Sequence, residues 1–139
     1  MTENVGQQLT QIGQGRLPGH MGIVFTDAGD GWIEAEMPVR PEIMTAHGYL
    51  HAASVIALAD TACGFGCMRS LPEGAQSFTT IELKSNYLGT ARDGVVQTRA
   101  ELQHGGRMTQ VWDAVVTHQE TGKKMALFRC TQMILYPRG

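Results

Sequence analysis

The chain has 139 residues, 42% of them hydrophobic and 17% charged, with a net charge of −2. That length and balance suit one globular domain and exclude a disordered chain. The basic residues are scattered from Arg16 to Arg138 without a run, which excludes a nucleic-acid footprint, and no stretch approaches the roughly 18 uninterrupted apolar residues of a membrane span.

The polar start, MTENVGQQLTQIGQG, lacks the basic residues and apolar run of a signal peptide. A short helix is expected around Val5 to Gly13, and LPGHMG (17–22) breaks the chain after it. Residues 1–20 thus read as an N-terminal helix and linker within a single domain spanning 1–139. GWIEAEMPV alternates, with Trp32, Glu34 and Glu36 on one face and Ile33, Ala35 and Met37 on the other, the period of a strand. AGDG (28–31) is a hairpin signal, which makes Gly22 to Thr26 the partner strand. RPEIMTAHG, with Pro41 following Pro38, reads as an irregular loop.

A helix follows over about His51 to Arg69, and SLPEGA ends it through Pro72 and Gly74. It is too apolar to face water, so a curved sheet is expected to wrap it, with its many alanines and glycines admitting close approach. Four more strands follow: SFTTIELKSNYL, VVQTRAELQ, MTQVWDAVVTH and MALFRCTQMILY. The short polar links between them suggest antiparallel neighbours in sequence order. Six strands and one long helix make an α+β domain.

Asp60 stands out in that helix. A buried ionised carboxylate costs several kcal/mol, about what a partner or a proton must offset. It can be structural, bonded to a neighbouring backbone amide or marking a helix break, or it can carry chemistry. At the helix start, Gly48 and His51 precede a cluster of unpaired amides from His51, Ala52 and Ala53, a site suited to polarising a carbonyl. His51 can equally be a ring satisfied by backbone. Asp60 lies nine residues beyond His51, or ~13 Å along the axis. One helix therefore cannot bring both groups to one small reacting centre. If both serve one site, two subunits supply them, with helices antiparallel across a twofold axis.

Other groups carry weaker signals. Gly105, Gly106 and Arg107 form a hairpin tip, and Arg92 sits at another turn; either cation can meet phosphates or be simply solvated. Cys63 and Cys67, four apart, have no matching His/Cys pair nearby and read as buried thiols rather than a metal site. With Cys130 they make an odd count in apolar surroundings, which suggests reduced thiols and a cytoplasmic setting. Burial also argues against a cysteine nucleophile, and Ser54 lacks both a G-x-S-x-G context and a base.

The stretch GYLHAASVIALAD, Gly48 to Asp60, resembles the G-x-x-H-G-G-x(6)-A-[D/E] helix of the hotdog-fold acyl-CoA thioesterases, in the branch with phenylacetyl-CoA and 4-hydroxybenzoyl-CoA thioesterases. LADTACGFGC and ALFRCTQMIL look like the same branch, and the similarity covers about Trp32 to Leu135. The resemblance implies a hotdog fold: a six-stranded antiparallel sheet around one central helix. It implies Asp60 as catalytic carboxylate and the Ala52 amide, following His51, as the donor to the thioester carbonyl. Thr45 falls where the family has an Asn or Gln, with His47 next to it. Thr45, His47, Gly48, Gly64, Arg92, Gly105 and Arg107 are the expected substrate contacts. HAA replaces the usual HGG, which keeps the amide and adds two methyl groups.

The expected activity is hydrolysis of an acyl-CoA thioester. No metal or cofactor is expected beyond the CoA in the substrate. The expected assembly is a homo-oligomer, a dimer that forms the sites within a tetramer, with no nucleic-acid or membrane partner. The alternatives are a hotdog dehydratase or hydratase, which the absence of a P-G before the helix disfavours, and a domain that binds acyl-CoA without turnover.

Overall fold

The computed structural model describes residues 4–138; the expected extension of the domain over 1–3 and 139 lies outside them. Helix α1 (Val5–Ile12) opens on a capping box, the Asn4 side chain accepting from the Gln7 amide at 2.8 Å while Gln7 Oε1 accepts from the Asn4 amide at 3.0 Å. The Thr10 hydroxyl ties α1 to the sheet by accepting from the Phe25 amide at 2.8 Å. The expected break at LPGHMG holds one helical turn, α2 (Leu17–His20), with a proline in its first turn, where no intrahelical N–H is needed.

Strands β1 (Val24–Gly29) and β2 (Trp32–Pro38) form the predicted hairpin around Asp30–Gly31. The partner strand lies slightly later than Gly22 to Thr26, because Gly22 adopts a φ of +79° that no strand continues through. Alternation in β2 holds: Ile33, Ala35 and Met37 are buried, and the intervening residues are half-buried. A 3-10 turn, Pro41–Ile43, interrupts the expected loop.

Helix α3 (Ala52–Arg69) is capped by His51. Strands β3 (Ser77–Tyr87), β4 (Val95–Gly105), β5 (Thr109–His118) and β6 (Lys124–Leu135) complete one antiparallel six-stranded sheet, ordered β1-β2-β4-β5-β6-β3. The last three strands are sequential neighbours, as their hairpin links require. β3 departs from that expectation, pairing with β6 at the far edge rather than with β4. The reason lies in the link: it runs from Leu88 to Gly94 and crosses the sheet past the start of α3. There the Ala91 carbonyl accepts from the Leu50 amide at 2.8 Å and Ala91 is buried.

The sheet curves over one side of α3 and buries Val55, Leu58, Ala59, Ala62, Cys63 and Cys67 against its inner face. Trp112 lies over Gly66, where an added Cβ would fall 2.6 Å from the indole. The indole N–H donates to Gln110 Oε1 at 2.8 Å, and Gln110 Nε2 donates to the Ser70 carbonyl at 2.8 Å, closing the end of the helix. The sheet wraps the helix as expected, and a stripe stays open along it. Ala53 and Met68 are exposed, and Ala57, Asp60 and Thr61 are half-buried. Six strands of this length reach round only part of a helix, and Asp60 lies on the part they leave.

Candidate active site

The start of α3 is held from three directions. The His51 amide donates to the Ile43 carbonyl at 3.1 Å, the Ser54 and Val55 amides donate to the His51 carbonyl, and the Ser54 hydroxyl donates to the Ile43 carbonyl at 2.8 Å. His51 Nδ1 accepts from the Ala53 amide at 2.9 Å, so the neutral ring carries its proton on Nε2. Of the three amides expected as a donor cluster, two are therefore spent inside the protein. Only the Ala52 N–H has no acceptor among the described residues, and Ala52 is exposed. The phenol of Tyr87 on β3, which sequence reasoning did not single out, donates to the Ala52 carbonyl at 3.2 Å.

The residues upstream gather beside this amide. The Thr45 amide donates to the Tyr49 carbonyl at 2.7 Å, the Gly48 amide to the Thr45 carbonyl at 3.0 Å, and Thr45 Oγ1 accepts from the His47 amide at 3.2 Å. Gly48 takes a φ of +85°, which closes that turn and favours glycine there. The His47 ring is exposed and stacks on Tyr49. Arg92 arrives on the β3–β4 link and donates to the His47 and Gly48 carbonyls at 3.4 and 3.2 Å. Thr45, His47, Gly48, His51, Ala52 and Arg92 thus form one cluster at one end of α3. The guanidinium is exposed and spends one nitrogen on the loop.

Gly105 and Arg107 lie elsewhere. Their hairpin joins β4 to β5 at the end of the sheet that covers the C-terminus of α3. There Tyr136 donates its hydroxyl to the Arg107 carbonyl, and the Ile134 amide donates to that of Met108. The Gly106 amide is taken by the Thr109 carbonyl at 2.9 Å, while the Arg107 side chain is exposed over the Tyr136 ring.

Asp60 sits between the two ends, on the open stripe. Its Oδ1 is buried with no hydrogen-bond partner; the other such side-chain atom among the described residues is Ser85 Oγ. Among the described residues no backbone amide or cation compensates that oxygen. Burial pushes its pKa above the ordinary carboxylate value. A pocket of about 220 Å³ adjoins it, lined by Gly64, Phe65 and Met68 of the same helix and by Phe78 and Thr80 of β3. Gly64 is one of the expected substrate contacts, and helical spacing from Asp60 could also have found Met68, eight positions beyond it. The strand residues had no such signal, because β3 reaches the helix only through the crossover.

The cysteines are buried, as expected. Contact with the Cys130 thiol, followed by burial, raises the Cys63 pKa, and burial holds Cys67 at about 12. Neither is a thiolate at neutral pH.

Along one helix, Ala52 and Asp60 are about 12 Å apart. The protomer therefore keeps two groups apart: among the described residues, an amide without an acceptor beside its loop, and a carboxylate oxygen without a partner beside an apolar pocket. Two antiparallel helices would bring each group to its complement.

Comparison with known proteins bears on the family and the fold. Residues 47–125 match the family model described as Thioesterase superfamily. The chain is 30% identical over 132 residues to the 1,4-dihydroxy-2-naphthoyl-CoA hydrolase of Escherichia coli, covering 93% of each chain. It is 29% identical over 129 residues to the proofreading thioesterase EntH of Cronobacter sakazakii, again with 93% of each covered. Among solved structures, a thioesterase from Haemophilus influenzae superposes with a TM-score of 0.89 at 30% identity, covering 97% of this chain and 93% of that one.

Proposed function

The chain belongs to the thioesterase superfamily and is a thioester hydrolase of hotdog fold, and from that premise we propose that it cleaves acyl-CoA thioesters with Asp60 of one subunit and the Ala52 amide of another. The observation that carries this is the pair of unspent groups on α3: a buried carboxylate oxygen without a partner and a helix-start N–H without an acceptor.

The thioester carbonyl oxygen accepts from the Ala52 N–H, aided by the positive end of the helix dipole. Asp60 of the partner subunit takes a proton from a water, whose oxygen attacks the carbonyl carbon. The resulting oxyanion stays on the Ala52 amide until the C–S bond breaks, and the CoA sulfur leaves with the proton. In the second route Asp60 attacks the carbonyl itself, giving an anhydride that water then opens. Label found in the Asp60 carboxylate after a single turnover in oxygen-labelled water would establish the anhydride route, with water attacking the aspartyl carbonyl carbon.

His51 is a positioning residue in this scheme, because its Nδ1 holds the first turn that presents the amide. Thr45 and His47 border the carbonyl side, and the exposed Arg92 beside them is placed to meet phosphates of the nucleotide. The Arg107 hairpin, at the other end of α3, reaches that nucleotide only from a partner subunit. The reaction needs no metal and no cofactor beyond the CoA carried by the substrate. The assembly is a dimer that completes two sites, with a tetramer as the expected higher state, and the compartment expected from the thiols is the cytoplasm. No helix among the described residues is long and apolar enough to cross a membrane.

The test is thiol release from a panel of acyl-CoAs by wild type and by Asp60→Asn. The variant should lose about 10²- to 10⁴-fold in kcat while remaining a folded oligomer. Wild-type turnover by the variant would remove Asp60 from the chemistry. Hydration of a crotonyl thioester without thiol release would favour the dehydratase alternative.

A further inference from the structure

The pocket beside Asp60 has walls whose dimensions are fixed by two residues that take no part in the chemistry. Gly64 stands one helical turn beyond Asp60. A Cβ built there lies 3.1 Å from Phe78 Cζ and 3.7 Å from its Cε2, so the space between α3 and β3 at this level exists because the side chain is absent. A second lining ring is held: Phe65 stacks on Phe25 with centroids 4.5 Å apart and planes at 16°. Pro18 also lines the pocket. It rides on α2, outside the stretch 47–125 that matches the family model.

That wall is rigid for a local reason. The Gly13 carbonyl accepts from both the Arg16 and Gly19 amides, at 3.2 and 3.0 Å, and the Pro18 carbonyl accepts from the Ile23 amide at 3.0 Å. The turn has no slack, since a Cβ on Gly19 would fall 2.8 Å from the Gly13 carbonyl oxygen and 3.0 Å from Gln14 Cα. Pro18 is thus locked in place at the mouth of the pocket.

We propose that Gly64 and Pro18 determine which acyl groups are hydrolysed, by setting the depth and the outer wall of the pocket that receives the acyl tail. This rests on the reading of Asp60 as the reacting carboxylate, since that is what places the tail here. The volume of about 220 Å³ compares with the roughly 150 Å³ cavity that accepts a benzene ring. These walls therefore favour one ring or a chain of about six carbons over a long fatty chain. Phe65, Met68 and Phe78 make the pocket apolar, so charged acyl tails are excluded as well.

The experiment measures kcat/KM for acetyl-, hexanoyl-, benzoyl- and dodecanoyl-CoA by thiol release, with wild type, Gly64→Ala, Gly64→Val and Pro18→Ala. Wild type should prefer hexanoyl and benzoyl over dodecanoyl. Gly64→Val should lower the hexanoyl-to-acetyl ratio by about tenfold or more, with Gly64→Ala between, and Pro18→Ala should raise the dodecanoyl-to-hexanoyl ratio. In parallel, calorimetry measures binding of the same four thioesters to Asp60→Asn with and without each change. If thiol is released and the ratios do not move, the pocket assignment is wrong and hydrolysis stands. If wild type releases no thiol, yet binding to Asp60→Asn shows the same size limit shifted by Gly64→Val and Pro18→Ala, the pocket stands and the catalytic reading falls. Circular dichroism identifies a misfolded Gly64→Val, in which case Gly64→Ala and Pro18→Ala decide.

Discussion

Ala52 and Asp60 can be tested as parts of different subunits by complementation. Ala52 is the first residue of α3, and His51 before it is extended, with φ −69° and ψ 139°. That is the backbone a following proline requires, and the first helical position accepts proline readily. Ala52→Pro therefore removes one N–H that serves no protein acceptor, while leaving the cap made by His51. Loss of such a donor should reduce kcat by about 10²- to 10³-fold. Asp60→Asn removes the base instead. The two variants, each nearly inactive, are unfolded together in equal amounts and refolded. Half of the dimers then pair unlike subunits. Because Ala52 and Asp60 are about 12 Å apart along one helix, each mixed dimer has one site carrying both changes and one carrying neither. Thiol release should recover to about a quarter of the wild-type rate. Native mass spectrometry confirms that mixed dimers formed. If they form and activity stays at the level of the separate variants, one subunit holds the whole site and the two-subunit reasoning is refuted.

The buried Asp60 has a pKa raised by desolvation, so its ionisation weakens the fold: stability contributed by the protonated form is full below the unfolded value of about 3.9 and is lost as pH rises toward the folded value. Asp60→Asn should therefore equal or exceed wild type in Tm at neutral pH, with the gap closing in acid, as scanning calorimetry across pH would show. The same shift predicts that kcat/KM rises with pH through a midpoint above that of an ordinary aspartate, read from a pH–rate profile. Gly66→Ala puts a methyl 2.6 Å from the Trp112 ring, whose retreat is blocked by its bond to Gln110; urea unfolding should show a loss of about 1–3 kcal/mol. His51→Ala removes the acceptor for the Ala53 amide and should cost about 0.5–2 kcal/mol in the same assay, whereas His51→Asn should retain most of that stability.

Much of this was legible in the sequence because local patterns dictated it. Period-two alternation located β2, apolar length and flanking Pro and Gly located α3, and one carboxylate in an apolar helix marked the site. The spacing from His51 to Asp60 already required a second subunit for a shared site. What stayed illegible depended on contacts distant in the chain. Nothing local says that β3 should bypass β4 for β6, and so the contributions of Phe78, Thr80 and Tyr87 were hidden. Nor does composition show that α3 keeps an open stripe, since that depends on how far six strands can curve. Two of the three expected amides proved occupied because the Ile43 carbonyl and the His51 ring reach them, contacts that only the folded loop creates.

The pairing of Pro38 with Val95 makes β2 and β4 neighbours and turns everything between them into a single insertion. Thr45, His47, Ala52, Asp60, Gly64, Phe78 and Arg92 all lie in that insertion. Strands β1, β2, β4, β5 and β6 form a continuous sheet with β3 docked on its edge, and α3 packs on the inner face as the centre of the core. Closing a loop costs free energy that grows slowly with its length, about 0.6 kcal/mol for each doubling. The loops on either side of α3 can therefore change length at small cost, while the helix between them is held by the core. Such an arrangement separates tool from handle: new substrate preferences can be explored in those loops while helix and sheet go on folding as before.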